Sequence, residues 1–336
     1  MSIVIKENYK NDTKDLEYSV LSLNIKGLSC VYLNTIKRIL YNYIPTYAFN
    51  FDNIIIEKTK SFLDNSRLRD RFMFLPILNI KNDIDYLDEK YYKDKLGHII
   101  SFENENRERH PKEKSIVISF NDYNKKEKMK NIDTNSIEYF INDKPSDIPY
   151  NKKFPILLCY LRNGDNINCV MKSSLGYGFI HPIYQPVYHT YYREVKDKEY
   201  EFIIHSKGQN TETELLKRCC NAAVLNLEEI KKKSWNLLHK NNEFTALVYE
   251  YKSYKENENM KVLLFDDFTF ANIICEELQN NKSVEFAGVN KDNYFDQDVQ
   301  LRVRFKSKDE KEHYKILNDS IDECIRKFKE IKKMIK

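Results

Sequence analysis

Near the C-terminus, Tyr314, Leu317, Ile321, Cys324, Ile325, Phe328, Ile331 and Ile335 recur at helical spacing. They draw one apolar stripe along a helix of about six turns. A terminal helix with such a stripe must bury it against another helix or a sheet. Any fold for this chain therefore has to supply a partner surface of matching length.

Further elements follow from the same patterning. Val299, Leu301, Val303 and Phe305 alternate with Gln300, Arg302 and Arg304, the period of a half-buried strand. Residues 261–265 form another strand. Asp267 is placed to cap a helix carrying Phe270, Ile273, Ile274 and Leu278. At the other end of the chain, residues 18–25 (YSVLSLNI) form a strand. A helix from about Val31 to Tyr43 follows, with Ile36, Ile39, Leu40 and Tyr43 on one face and Pro45 stopping it. Residues 47–57 form a second strand. Residues 154–161 and 199–206 are strands too. Thr211 and Glu214 make a capping box ahead of a helix bearing Leu216, Cys219, Cys220, Ala223, Leu227 and Ile230. Strand–helix–strand units thus occur at both ends, each closing with a long helix, as if a dimer had been fused.

Between about Leu78 and Asn151 the periodicity degrades. Only 115–120 (SIVISF) is a clear strand. Residues 101–114 and 121–150 are expected to be exposed loops of an insertion or of a lightly structured middle domain. Residues 239–243 (HKNNE) are expected to be a polar linker.

The chain of 336 residues suits two or three domains. Lys and Arg number 55 against 51 Asp and Glu, a net +4. That near balance argues against duplex nucleic acid as the main partner. No apolar run approaches the roughly 18 residues of a membrane helix, and the N-terminus lacks the apolar core of a signal peptide. Seven scattered cysteines without CxxC spacing fit a reducing compartment.

Catalytic patterns are missing. There is no Gly-rich phosphate loop, nucleophile elbow or HExxH. Asp64, Asp70, Asp266 and Asp267 are the carboxylates available for a metal-dependent centre, but capping is the ordinary job of such Asp residues. Cys159, Cys169, His181 and His189 are separated by ten, twelve and eight residues, which matches no usual zinc pattern. Cys219 reads as a small core residue. Lys37 and Arg38 lie off the apolar face of the first helix, as a solvated pair or as a docking point for a partner subunit or a phosphate.

The run IKRILYNYIPTYAFNFDNIIIEKT (36–59) resembles the assembly motif of the RNA polymerase α-subunit family, a helix ending in a basic pair, then a Pro-Thr-x-Ala turn, then a strand. Lys37 and Arg38 match the pair, with Lys replacing the first Arg. Pro45, Thr46 and Ala48 match the turn. DRFMFLPI (70–77) keeps the family's Arg71, Leu75 and Pro76 but lacks its His and Gly. LRNGDN (161–166), the stretch 176–193 and FIIHSKG (202–208) resemble the third-largest eukaryotic and archaeal polymerase subunit. FDDFTFANIICEEL (265–278) is similar to a motif of that subunit's small partner, keeping Asp267, Thr269 and Asn272. VEFAG (284–288) resembles the partner's turn.

The resemblance implies an α+β fold, with two α-subunit-type dimerisation modules fused in one chain. The first module would span 1–77 and 190–240, an inserted mainly β domain 78–189, and the second module 241–336. It implies a non-catalytic scaffold of DNA-directed RNA polymerase, without cofactor or metal. Its partners would be the second-largest, largest and small polymerase subunits, with DNA met only through the complex and no homo-oligomer. Subunit contacts would fall on Lys37, Arg38, Pro45, Thr46, Arg71, Asp267, Thr269 and Asn272. Leu216, Ala223, Leu227, Leu317, Ile321 and Phe328 would join the two modules. The family's cysteine cluster is missing from the insertion, which holds no Cys between Leu78 and Tyr150. Large cytoplasmic DNA viruses are the expected source, acting in the host cytoplasm and virion, with the nucleus expected otherwise. The competing class is a stand-alone regulatory or nucleic-acid-binding protein with the same dimerisation fold.

Overall fold

A computed structural model describes residues 1–13, 16–59, 63–93, 108–239, 248–249, 260–291 and 298–335. The fold is α+β. Strands β1 (Ser2–Thr13) and β2 (Leu16–Lys26) lead into helix α1 (Cys30–Asn42). Strand β3 (Thr46–Thr59), helix α2 (Asn65–Met73) and strands β4 (Ile116–Tyr123), β5 (Lys130–Asp133), β6 (Glu138–Ile141), β7 (Lys144–Pro145), β8 (Leu157–Leu161) and β9 (Asn166–Gly176) follow. The chain continues through β10 (Val187–Lys196), β11 (Glu199–Ser206) and the long helix α3 (Glu212–His239). It ends with β12 (Val248–Tyr249), β13 (Met260–Phe265), α4 (Phe268–Gln279), β14 (Val284–Asn290), β15 (Val299–Phe305) and α5 (Glu310–Met334).

Two four-stranded sheets share one plan. The first runs β1-β2-β11-β10 and the second β12-β13-β15-β14. In each, the second strand feeds a helix (α1 or α4), a later hairpin returns to the sheet, and a long helix (α3 or α5) closes the unit. All the paired strands are antiparallel. The helices of the two units pack on one another, α1 on α4 and α3 on α5. One hydrophobic core runs through both, from Leu21, Leu23 and Phe202 to Leu301, Val303 and Phe328.

The expected strand 199–206 is β11. The capping box forms: Glu214 N–H donates to Thr211 Oγ1 at 3.3 Å and Thr211 N–H to Glu214 Oε2 at 3.1 Å. The terminal stripe is buried except at half-buried Tyr314. Strand β15 alternates buried and half-buried side chains as its sequence period requires.

The second core belongs to the five-stranded sheet β3-β9-β4-β6-β7, covered by α2 and by the pair β5-β8. It begins at Tyr47, so residues 46–77 pack with the middle of the chain and not with the first sheet. The loops expected across 121–150 are instead β5, β6 and β7, with Ile132, Ile137, Tyr139 and Tyr150 buried. Buried Asn124 stands in for missing ladder bonds. Its Nδ2 donates to the carbonyls of Lys128 and Leu161, both at 2.9 Å, and its Oδ1 accepts from Lys126 N–H. Side-chain amides of this kind compete with regular backbone pairing, so the tight turn carries no apolar period. Four more strands have no counterpart among the expected ones: β1, β9, β10 and the short β12. The segment 284–288, read as a turn, is part of β14, a strand with a register shift at Phe286. The expected loop 101–114 is described from residue 108 onward, and the linker 239–243 lies outside the described residues after His239. Among the described residues, no helix is long and apolar enough to cross a membrane.

Candidate subunit interface

The seam between the two sheet–helix units is polar at its centre. Tyr32 of α1 is 1% exposed, and its hydroxyl donates to Glu277 Oε1 of α4 at 2.7 Å. Lys327 of α5 donates to the same oxygen at 2.5 Å and lies over the Tyr32 ring, 4.9 Å from its centroid. Burial drives the Tyr32 hydroxyl far above its usual titration range, with neighbouring Cys324 and Glu277 adding to the effect. The tyrosine is thus a neutral donor at any ordinary pH. A buried carboxylate is tolerated only when paired and hydrogen-bonded, and Glu277 meets both conditions.

The flanks repeat the theme. The hydroxyl of Ser29, at the N-cap of α1, donates to Glu276 Oε2 at 2.9 Å. Thr35 Oγ1 donates to the Thr269 carbonyl at 3.2 Å. At the outer edge, Lys231 of α3 pairs with Asp322 of α5 at 2.5 Å. Inside each unit, a cysteine of the long helix donates to a carbonyl of the shorter one. Cys219 Sγ meets the Ile36 carbonyl and Cys324 Sγ the Ile273 carbonyl, both at 3.7 Å. The same weak contact occupies equivalent places in the two units.

All six residues expected to join the modules lie in this shared core. Leu216, Ala223 and Leu227 sit on α3 and Leu317, Ile321 and Phe328 on α5, none more than 5% exposed. The surface set is scattered. Lys37 is half-buried and Arg38 exposed on α1. Among the described residues neither has a hydrogen-bond or ion partner. Asn272 is half-buried on α4. Asp267 is the N-cap of α4, accepting from Thr269 N–H and Oγ1, each at 2.7 Å. Pro45, Thr46 and Arg71 use their polar groups within this chain. The Pro45 carbonyl accepts from Asn82 and Arg218, Thr46 Oγ1 donates to the Tyr184 carbonyl, and Arg71 Nη2 donates to the Leu157 carbonyl at 2.9 Å.

The junction between the two cores was not foreseen. Arg218 of α3 is 7% exposed. Its guanidinium reaches Asp85 at 2.9 Å, Asn210 Oδ1 at 3.0 Å, and the carbonyls of Pro45 and Ile84. Asn221 donates to the other Asp85 oxygen at 2.7 Å. Gln209 bridges likewise, its Oε1 accepting from Tyr47 N–H and its Nε2 donating to the Tyr47 carbonyl, both at 3.0 Å. An arginine beside Leu215 and Leu216 on a buried helix face was the available signal.

No three metal-ligating side chains come together among the described residues. Cys159 and Cys169 are buried on β8 and β9, where burial pushes their thiols up to about 11 and about 12. His181 accepts from Ile183 N–H at the start of a short helical turn, and His189 is exposed on β10. Asp64 caps α2 through Arg67 N–H at 2.8 Å.

No protein-family model matches the chain. It is similar to a protein of Acanthamoeba polyphaga mimivirus, 22% identical over an alignment of 354 positions. The alignment spans 98% of this chain and 94% of the relative. That relative carries the provisional name of a DNA directed RNA polymerase subunit.

Proposed function

We propose that this chain is a non-catalytic scaffold subunit of a DNA-directed RNA polymerase, with both halves of an α-like assembly dimer in one polypeptide. The observation that carries the reading is the repeated plan β1-β2-β11-β10 and β12-β13-β15-β14, each unit closed by a long helix. The full-length similarity to a viral protein named as a polymerase subunit supports it. On this reading residues 1–45 and 187–239 form the first module, 46–184 an inserted domain, and 260–335 the second module.

The scaffold does no chemistry of its own. Its work is to hold one rigid surface on which the second-largest and then the largest subunit assemble, with small subunits added. Fusion makes the pairing of the halves intramolecular, at an effective concentration in the millimolar range. Exposed Arg38 and half-buried Lys37 face the second-largest subunit. For a viral gene, the expected places of action are the cytoplasm of the infected cell and the virion.

The test is affinity purification of the tagged chain from the cell that makes it, followed by mass spectrometry. The two large polymerase subunits should co-purify in equal amounts. Their absence would sink the function. Arg38→Glu should leave the chain folded and lose the large subunits, and normal recovery of the complex with this variant would sink the interface alone.

A further inference from the structure

Phe74 and Tyr188 are 67% and 64% exposed, the highest values for any aromatic residue among the described ones. They line the same cleft, of about 260 Å³, at the seam between the two cores. Phe74 is the C-cap of α2 and Tyr188 stands on β10, the end strand of its sheet. Thr46, Pro76 and Gln209 contribute to the walls. Exposed aromatics scattered singly need no explanation, but two converging on one concavity mark a binding surface.

The charge in the cleft is one-sided. Lys207 is part of the lining. Its ammonium donates to the Pro182 carbonyl at 3.2 Å and lies 5.9 Å from the Tyr188 ring centroid. No carboxylate pairs with it among the described residues. Burial lowers its proton affinity. A partly desolvated cation without a counter-charge is a cost to the free protein, and an incoming carboxylate would remove it through a charge-assisted hydrogen bond.

We propose that this cleft receives an extended segment of a partner protein bearing a large apolar side chain next to a carboxylate. The apolar side chain lies between Phe74 and Tyr188, and the carboxylate meets Lys207. The volume falls below the roughly 300–1,000 Å³ of small-molecule sites and suits one or two side chains. The inference does not depend on the polymerase reading.

Fluorescence anisotropy on the full chain tests it, with a fluorescein-labelled peptide acetyl-Gly-Leu-Phe-Asp-Gly-amide and a twin carrying Lys in place of Asp. The acidic peptide should bind saturably and about tenfold more tightly than its twin, the size expected of one charge-assisted hydrogen bond. Lys207→Met should erase that preference. Phe74→Ser should weaken both peptides while leaving thermal unfolding unchanged, since the side chain is exposed. Equal affinities, no saturable binding, or indifference to both substitutions would overturn the proposal. So would a concentration-dependent dimer that Phe74→Ser abolishes, which would assign the cleft to a second copy of the chain.

Discussion

Arg218 Nε stands 2.9 Å from Asp85 Oδ1, the charged contact that ties the first sheet–helix unit to the segment entering the second core. The pair is largely shielded, with side-chain exposures of 8% and 24%. Arg218→Met removes the cation, leaves Asp85 unpaired, and strips donors from the Pro45 and Ile84 carbonyls. A cost of about 3 kcal/mol is expected, read as a lower urea midpoint. Asp85→Asn should cost less, because Asn221 can still donate to the remaining oxygen. A double-mutant cycle giving no coupling between positions 85 and 218 would contradict the arrangement.

A β-carbon on Gly178 would land on the carbonyl oxygen of Tyr41, at the end of α1. Gly178→Ala must push α1 and the 177–185 segment apart. Overpacking of this kind costs about 2 kcal/mol. At Gly164 nothing lies within 4 Å, so Gly164→Ala tests backbone conformation alone. Its φ of 84° favours glycine, and the expected loss is about 1 kcal/mol. Thermal unfolding of the two variants separates close approach from backbone freedom.

The cysteines should divide sharply in reactivity. Cys30 is exposed, while the other six are buried. Burial holds Cys220 and Cys324 at about 12 and Cys275 at about 11, leaving almost no thiolate at neutral pH. A maleimide reagent on the native protein should therefore label Cys30 alone, and urea should expose the rest. Rapid native labelling of Cys219 or Cys324 would show that the helical seam opens.

His205 gives a directional pH test. Partial burial and the nearby His189 imidazole hold its ring below the usual 6.5, with Glu212 offsetting part of the effect. The unfolded chain then binds the proton more readily than the folded one. The contribution to stability is full above about pH 6.5 and is lost as pH falls through the lowered folded value. His205→Gln should flatten the fall of the urea midpoint on acidification. An unchanged slope would exclude His205 from the acid sensitivity.

How much was legible in the sequence depends on what each element buries. In β15 and α5 the regular spacing of Val299 through Phe305 and of Leu317 through Ile335 states both element type and buried face. In β9 the row facing the second core is Ile167, Cys169, Met171, Ser173 and Leu175, while Ser174 is buried on the opposite face. Small and polar groups there hide the alternation, because strand pattern reflects packing more than intrinsic preference. The turn at Asn124 is built from side-chain amide bonds and has no apolar period. The burial of Leu216, Ala223, Leu227, Leu317, Ile321 and Phe328 could be read from helical stripes. Arg218 and Asp85 could not, since 133 positions separate them and neither fits a motif.

Two units built on one strand order raise a problem of discrimination. As separate chains, each could pair with its own kind, and specificity would need features that penalise the wrong match. Covalent linkage removes the competition before it arises. Contacts across the seam, such as Tyr32 with Glu277, need only be favourable and not exclusive. The helical stripes are then free to drift toward any well-packed apolar sequence without carrying a code for partner choice.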